Sequence, residues 1–113
     1  MILIRITMNV IPGKQLEMMQ TLVSMIEPAT KEAGCLSYGV FSEIEDKNRF
    51  CVLAEWKTRK HLDQHMASHH FGALLGTKAL LRAPLEIQIH TVSHSEGIDA
   101  VYAAREEKAT LFP

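Results

Sequence analysis

Four of the six histidines and the single tryptophan fall within residues 55–71. This stretch holds the side chains best suited to chemistry. An imidazole titrates near pH 6.5, so it can take a proton from a phenol or a hydroquinone close to neutral pH. His65 and His70 are the catalytic candidates. Each has a plainer role open to it: His65 as packing beside Met66, His70 as a loop-orienting ring that donates one hydrogen bond. Trp56 either stacks on an aromatic substrate or fills the core. Glu55 either orients an imidazole or pairs with Arg5 across a sheet. His61, His65 and His69 repeat at four-residue steps, and imidazoles so spaced on a helix can chelate zinc or copper. No carboxylate or thiolate is evident nearby to complete a shell, so no native metal is expected.

The surrounding elements must carry these groups. Phe50, Val52, Ala54 and Trp56 alternate as a strand does. Thr58 then fits the N-cap of a short helix on which Leu62 and Met66 share a face. Upstream, Ile2, Ile4, Ile6, Met8 and Val10 form the apolar side of a strand that Pro12-Gly13 ends. From Lys14 the period turns helical, with Leu16, Met19, Leu22, Val23 and Ile26 expected in the core. Pro28 should bend or restart that helix, and Gly34 should stop it. Residues 36–42 read as a strand with Leu36, Tyr38 and Val40 on one face. A charged turn over residues 43–48 leads to the strand of residues 50–56. Phe71, Leu74, Leu75 and Lys78 suggest a helix to about residue 81, weakened by Gly72 and Gly76. Pro84 opens a last strand over residues 85–92.

The order is β-α-β-β-α-β. This is the α+β, ferredoxin-like arrangement: a four-stranded antiparallel sheet with helices on one face. The uncovered face would carry Leu3, Phe41, Cys51 and Leu53 beside Arg5, Asn9, Glu55 and Gln88. A half-apolar face of that kind invites a partner, and a homodimer formed sheet to sheet would bury it. A hairpin centred near Glu45 sets Cys51 opposite Val40 rather than Cys35, so two free buried thiols are expected. Residues 1–94 make one domain. Residues 95–113 form a tail, expected to be partly helical over residues 99–110 and docked on its own domain or a partner through Val101, Tyr102, Leu111 and Phe112.

Composition narrows the function. Twelve Lys and Arg against 13 Asp and Glu give a net charge of −1 over 113 residues, with no block of either sign. That is no footprint for nucleic acid. The first apolar run stops at Arg5, and none approaches the roughly 20 residues of a membrane span. A cytoplasmic protein without membrane contact is expected.

Five short motifs then fall in register: Pro12-Gly13-Lys14, Glu32-Ala33-Gly34-Cys35-Leu36-Ser37-Tyr38, Arg49-Phe50, Glu55-Trp56, and His65-Met66-Ala67-Ser68-His69-His70-Phe71. Over residues 2–92 the chain resembles the antibiotic biosynthesis monooxygenase (ABM) domain family, and within it a small quinol monooxygenase. The resemblance implies a ferredoxin-like fold that dimerises into an α+β barrel. It also implies cofactor-independent oxygenation of a small phenol- or quinol-like aromatic by dioxygen. Glu55, Trp56, His65 and His70 sit on positions that the family motif marks; Trp56, Glu55, Phe71 and Tyr38 are the substrate-binding candidates. In the haem-degrading branch a second tryptophan stands where this chain has His65, and the iron-ligating histidine falls on Leu75. Haem degradation is therefore not expected. One member isomerises a signal molecule and many have no known activity, so a non-catalytic ligand-binding or stress-related dimer is the alternative on the same fold.

Overall fold

The computed structural model describes the backbone of residues 1–111 and the side chains of residues 1–106. Strand β1 (Ile2–Asn9) buries Ile2, Ile4, Ile6 and Met8 on one side. It lies inside a four-stranded sheet of order β2-β3-β1-β4, with β2 Cys35–Ser42, β3 Arg49–Trp56 and β4 Glu86–Thr91. All three pairings are antiparallel. Helices α1 (Gln15–Thr30), α2 (Arg59–Met66) and α3 (His69–Gly76) supply the rest of the core, and a 3-10 turn, Thr77–Leu80, follows α3. The ferredoxin-like α+β fold is thus formed, with Met18, Leu22, Leu62, Phe71 and Leu74 packed on the inner strand residues.

Helix α1 turns a different face inward than its periodicity suggests. Met18, Leu22, Met25 and Ala29 are buried, while Leu16, Met19 and Val23 are exposed. The helix carries two apolar stripes, and tertiary packing takes the one holding Met18, Leu22, Met25 and Ala29. Pro28 does not restart α1, which runs through it without a break. It sits in the last turn, where a missing N–H costs only one hydrogen bond. Gly34 does not cap the helix either; Lys31 does, and Gly34 lies three residues on with φ +78°.

Two further expectations shift by local irregularity. A bulge between Cys35 and Ser37 sets Cys35, Tyr38 and Val40 against the core and turns Leu36 outward. The hairpin register places Cys51 opposite Phe41, one residue from the expected Val40. Both cysteines are free and half-buried. The imidazole-bearing segment is two helices rather than one. Ala67 ends α2 and Ser68 caps α3 by accepting from the Phe71 N–H at 3.3 Å. The stretch foreseen to residue 81 is likewise α3 plus the 3-10 turn, and β4 begins at Glu86 rather than Leu85. On the outer face Phe41 and Leu53 are exposed, beside Arg5.

A fourth helix, α4 (Ile98–Leu111), follows β4. Of the side chains expected to dock the tail, Val101 and Tyr102 are exposed in this chain, and those of Leu111 and Phe112 lie outside the described residues. No described helix is long and apolar enough to cross a membrane.

Candidate active site

The site is assembled by three short-range devices. Thr58 caps α2 by accepting from the His61 N–H at 3.2 Å, which fixes where α2 leaves β3. The break at Ala67–Ser68 lets the last turn of α2 and the first of α3 converge on the end of β3. Gly34 draws the α1–β2 loop against α2. A Cβ at that position would lie 2.2 Å from His61 Cγ, and the Gly34 carbonyl accepts from the Lys57 N–H at 2.8 Å.

These devices bury the His65 ring, which is 4% exposed, inside a box of aromatics. It stacks on Trp56 with centroids 4.5 Å apart and an interplanar angle of 27°. Phe71 and Tyr38 meet it edge-on, at 5.5 Å and 6.0 Å. On its remaining side, Nδ1 lies 2.5 Å from Glu32 Oε2, a contact across 33 residues of chain. An ionised carboxylate only accepts, so Nδ1 carries the proton and donates to it. In that tautomer the lone pair lies on Nε2. This carboxylate–imidazole pair corrects the sequence expectation that no carboxylate stands near the histidines.

Tyr38 adds a polar edge. Burial, then the negative field of Glu32, then that of Cys35, push its phenol up to about 12, so it is a proton-bearing donor at any working pH. The Cys35 thiol is pushed up as well, mainly by burial and secondly by Glu32. Tyr38, His65, His70 and Phe71, with Met25 and Leu74, line a narrow void between the helices and the sheet that has no room for a water molecule. Trp56 Nε1 is the one buried side-chain polar atom without a hydrogen-bond partner among the described residues. An orphaned donor of this kind costs roughly 1–3 kcal/mol, which any acceptor reaching it would offset.

Of the residues singled out by sequence, His65, Trp56, Tyr38 and Phe71 come together, and His70 joins them at the void while otherwise exposed. Glu55 does not. Neighbouring side chains on a strand point to opposite faces, so Glu55 lies on the outer face, where it accepts from Ser37 Oγ at 2.6 Å rather than pairing with Arg5. The histidine ladder is broken: His61 turns Nδ1 to Thr58 Oγ1 at 2.8 Å, and His69 opens a different helix. Three ligating side chains do not gather anywhere among the described residues. Glu32 is the residue that sequence reasoning missed. Its only signal was its place two residues before Gly34, in a motif that gave it no role.

A helix-covered sheet holding a carboxylate–imidazole pair against an aromatic wall defines a small α+β protein with a buried imidazole next to a narrow apolar void. The chain belongs to the antibiotic biosynthesis monooxygenase family, whose profile matches residues 1–75. It is 30% identical over 88 residues to “Putative monooxygenase YcnE” of Bacillus subtilis, covering 77% of this chain and 93% of that protein. An uncharacterized Synechocystis protein is 29% identical over 86 residues; the match covers 75% of this chain but only 58% of that longer relative. A “putative antibiotic biosynthesis monooxygenase” from Deinococcus radiodurans superposes with a TM-score of 0.80 at 21% identity, covering 87% of this chain and 98% of the other. That likeness shows the shared fold.

Proposed function

We propose that this protein is a cytoplasmic homodimeric monooxygenase that oxidises a small quinol- or phenol-like aromatic with dioxygen, with the substrate supplying the electrons. The observation that carries it is the buried His65 ring, held through Nδ1 by Glu32 and leaving Nε2 as the base. His65 removes the phenolic proton, which makes the ring electron-rich enough to react with dioxygen. One oxygen atom enters the ring and the other leaves as water, while the substrate gives up two hydrogens. Tyr38, protonated throughout, donates to the developing oxyanion. His70, at the exposed end of the void, is the entry residue, and the ring must shift with α3 for an aromatic to enter so narrow a space. Trp56 and Phe71 provide the apolar walls.

The family relationship supports the monooxygenase class, and the half-apolar outer sheet supports the dimer. The test is oxygen uptake by metal-stripped protein over a panel of hydroquinones and naphthols, with His65→Ala alongside. Uptake above the buffer rate that falls roughly 10²-fold in the variant is expected. Equal uptake by both would remove His65 from the chemistry. No uptake on any compound, with binding still seen by calorimetry, would leave a ligand-binding dimer.

A further inference from the structure

Helix α4 has no evident function within a single chain. Ile98, Val101 and Tyr102 recur at three- and four-residue steps on one stripe, and they are 61%, 50% and 59% exposed. An isolated helix of 14 residues is marginal in water, so its stability must come from a surface that covers that stripe. The molecule measures 57 × 34 × 22 Å with a radius of gyration of 17.5 Å, against about 13 Å for a compact domain of this length. The excess is the helix, held away from the body. The Deinococcus structure is matched over nearly its whole length, and the part of this chain left unmatched is about the length of α4.

The same chain carries a surface that fits. An open groove of about 660 Å³ lies between the end of α3 and the start of β4, lined by Leu75, Leu81, Ala83 and Leu85 with the cations Lys78 and Arg82. No described side chain forms an ion pair with either cation, and no described residue of α4 lines the groove. The helix supplies the complement: an apolar stripe flanked by Asp99 in its first turn. Beyond Leu85 the chain runs out along the six residues of β4, roughly 20 Å, before the link to α4 begins. The helix leaves this groove unfilled in its own chain, and the groove of a second molecule is the matching surface left to it.

We propose that α4 is an exchanged arm: its Ile98–Val101–Tyr102 stripe seats in the Leu75–Leu85 groove of a second copy of this chain, with Asp99 beside that copy's Lys78 and Arg82. The proposal is independent of the chemistry at His65. Its test mixes two full-length proteins in which Cys35 and Cys51 are replaced by Ala. One carries Val101→Cys; the other carries Leu81→Cys, Ala83→Cys or Leu85→Cys in turn. Under mild oxidation at least one mixture should give a disulfide-linked heterodimer, at a yield several-fold above either protein alone. Lys78→Glu with Arg82→Glu should cut that yield at least fivefold, and Asp99→Lys should restore it. A single chain carrying Val101→Cys with each groove cysteine closes an internal disulfide if the helix folds back on its own body, and that result would overturn the exchange. So would no cross-link in any of the three mixtures while the proteins still sediment as dimers. So would a charge reversal without effect on the yield.

Discussion

At the scale of single residues, the geometry hinges on Glu32. The histidine, the tryptophan and the tyrosine were legible in the sequence because they cluster or recur in strand and helix patterns. Glu32 was not, because a lone acid in a loop looks like every other solvated carboxylate until the fold brings it across 33 residues to His65 Nδ1. In the proposed chemistry its role is positional: accepting from Nδ1, it favours the tautomer with the lone pair on Nε2. Glu32→Gln keeps the shape but allows the ring to take either tautomer. Turnover on any substrate the parent oxidises should fall roughly tenfold or more, with KM little changed, and rate against pH should show an altered profile. An unchanged profile would mean that the carboxylate only packs. Tyr38 gives a second, independent measurement. Burial and then the field of Glu32 push its phenol up from 10.0 to about 12, so the folded state disfavours the tyrosinate. The stability this represents is complete below pH 10 and is lost as pH rises from about 10 to about 12. Denaturant melts of Tyr38→Phe over that window should therefore fall less steeply than those of the parent.

At the scale of elements, strands were read well and helices less so. Alternation along β1 and β3 left little choice, since slipping either by one residue would expose Ile4, Ile6, Val52 and Trp56 together. Helix α1 offered two apolar stripes, and only tertiary packing decides between them. The bulge at Cys35 and the break at Ala67–Ser68 were also invisible, because each depends on what the neighbouring element needs rather than on local composition. The second junction, between the Glu32 loop and α2, is set by Gly34. A side chain there meets both a positive φ and the His61 ring. Gly34→Ala should destabilise the protein by more than about 2 kcal/mol in urea melts and loosen the Glu32–His65 contact. An alanine variant of unchanged midpoint would show that the loop can move aside.

For the whole molecule, the bare outer face of the sheet is the largest feature that the single chain leaves unresolved. Phe41 and Leu53 stand on it beside polar Arg5 and Glu55, a mixed surface of the kind that a stable homodimer buries. Leu53→Asp places a charge at its centre. Sedimentation should show the parent dimeric at micromolar concentration and the variant dissociating at roughly 10²-fold higher concentration. A monomeric parent would remove this face from consideration.

Strand β3 has a consequence that no single site reveals. Glu55 and Trp56 are adjacent on one backbone, the first turned to the outer face and the second stacked on His65. In the proposed dimer, one layer of peptide thus forms the back of the seam and the wall of the aromatic box at once. Any motion of β3 that opens room for an aromatic guest must also alter the surface offered to the second molecule. By thermodynamic reciprocity, whatever factor association contributes to guest affinity, the guest returns to association. Adding substrate should therefore shift the concentration at which the two halves separate, by the same factor that separation shifts the affinity for substrate.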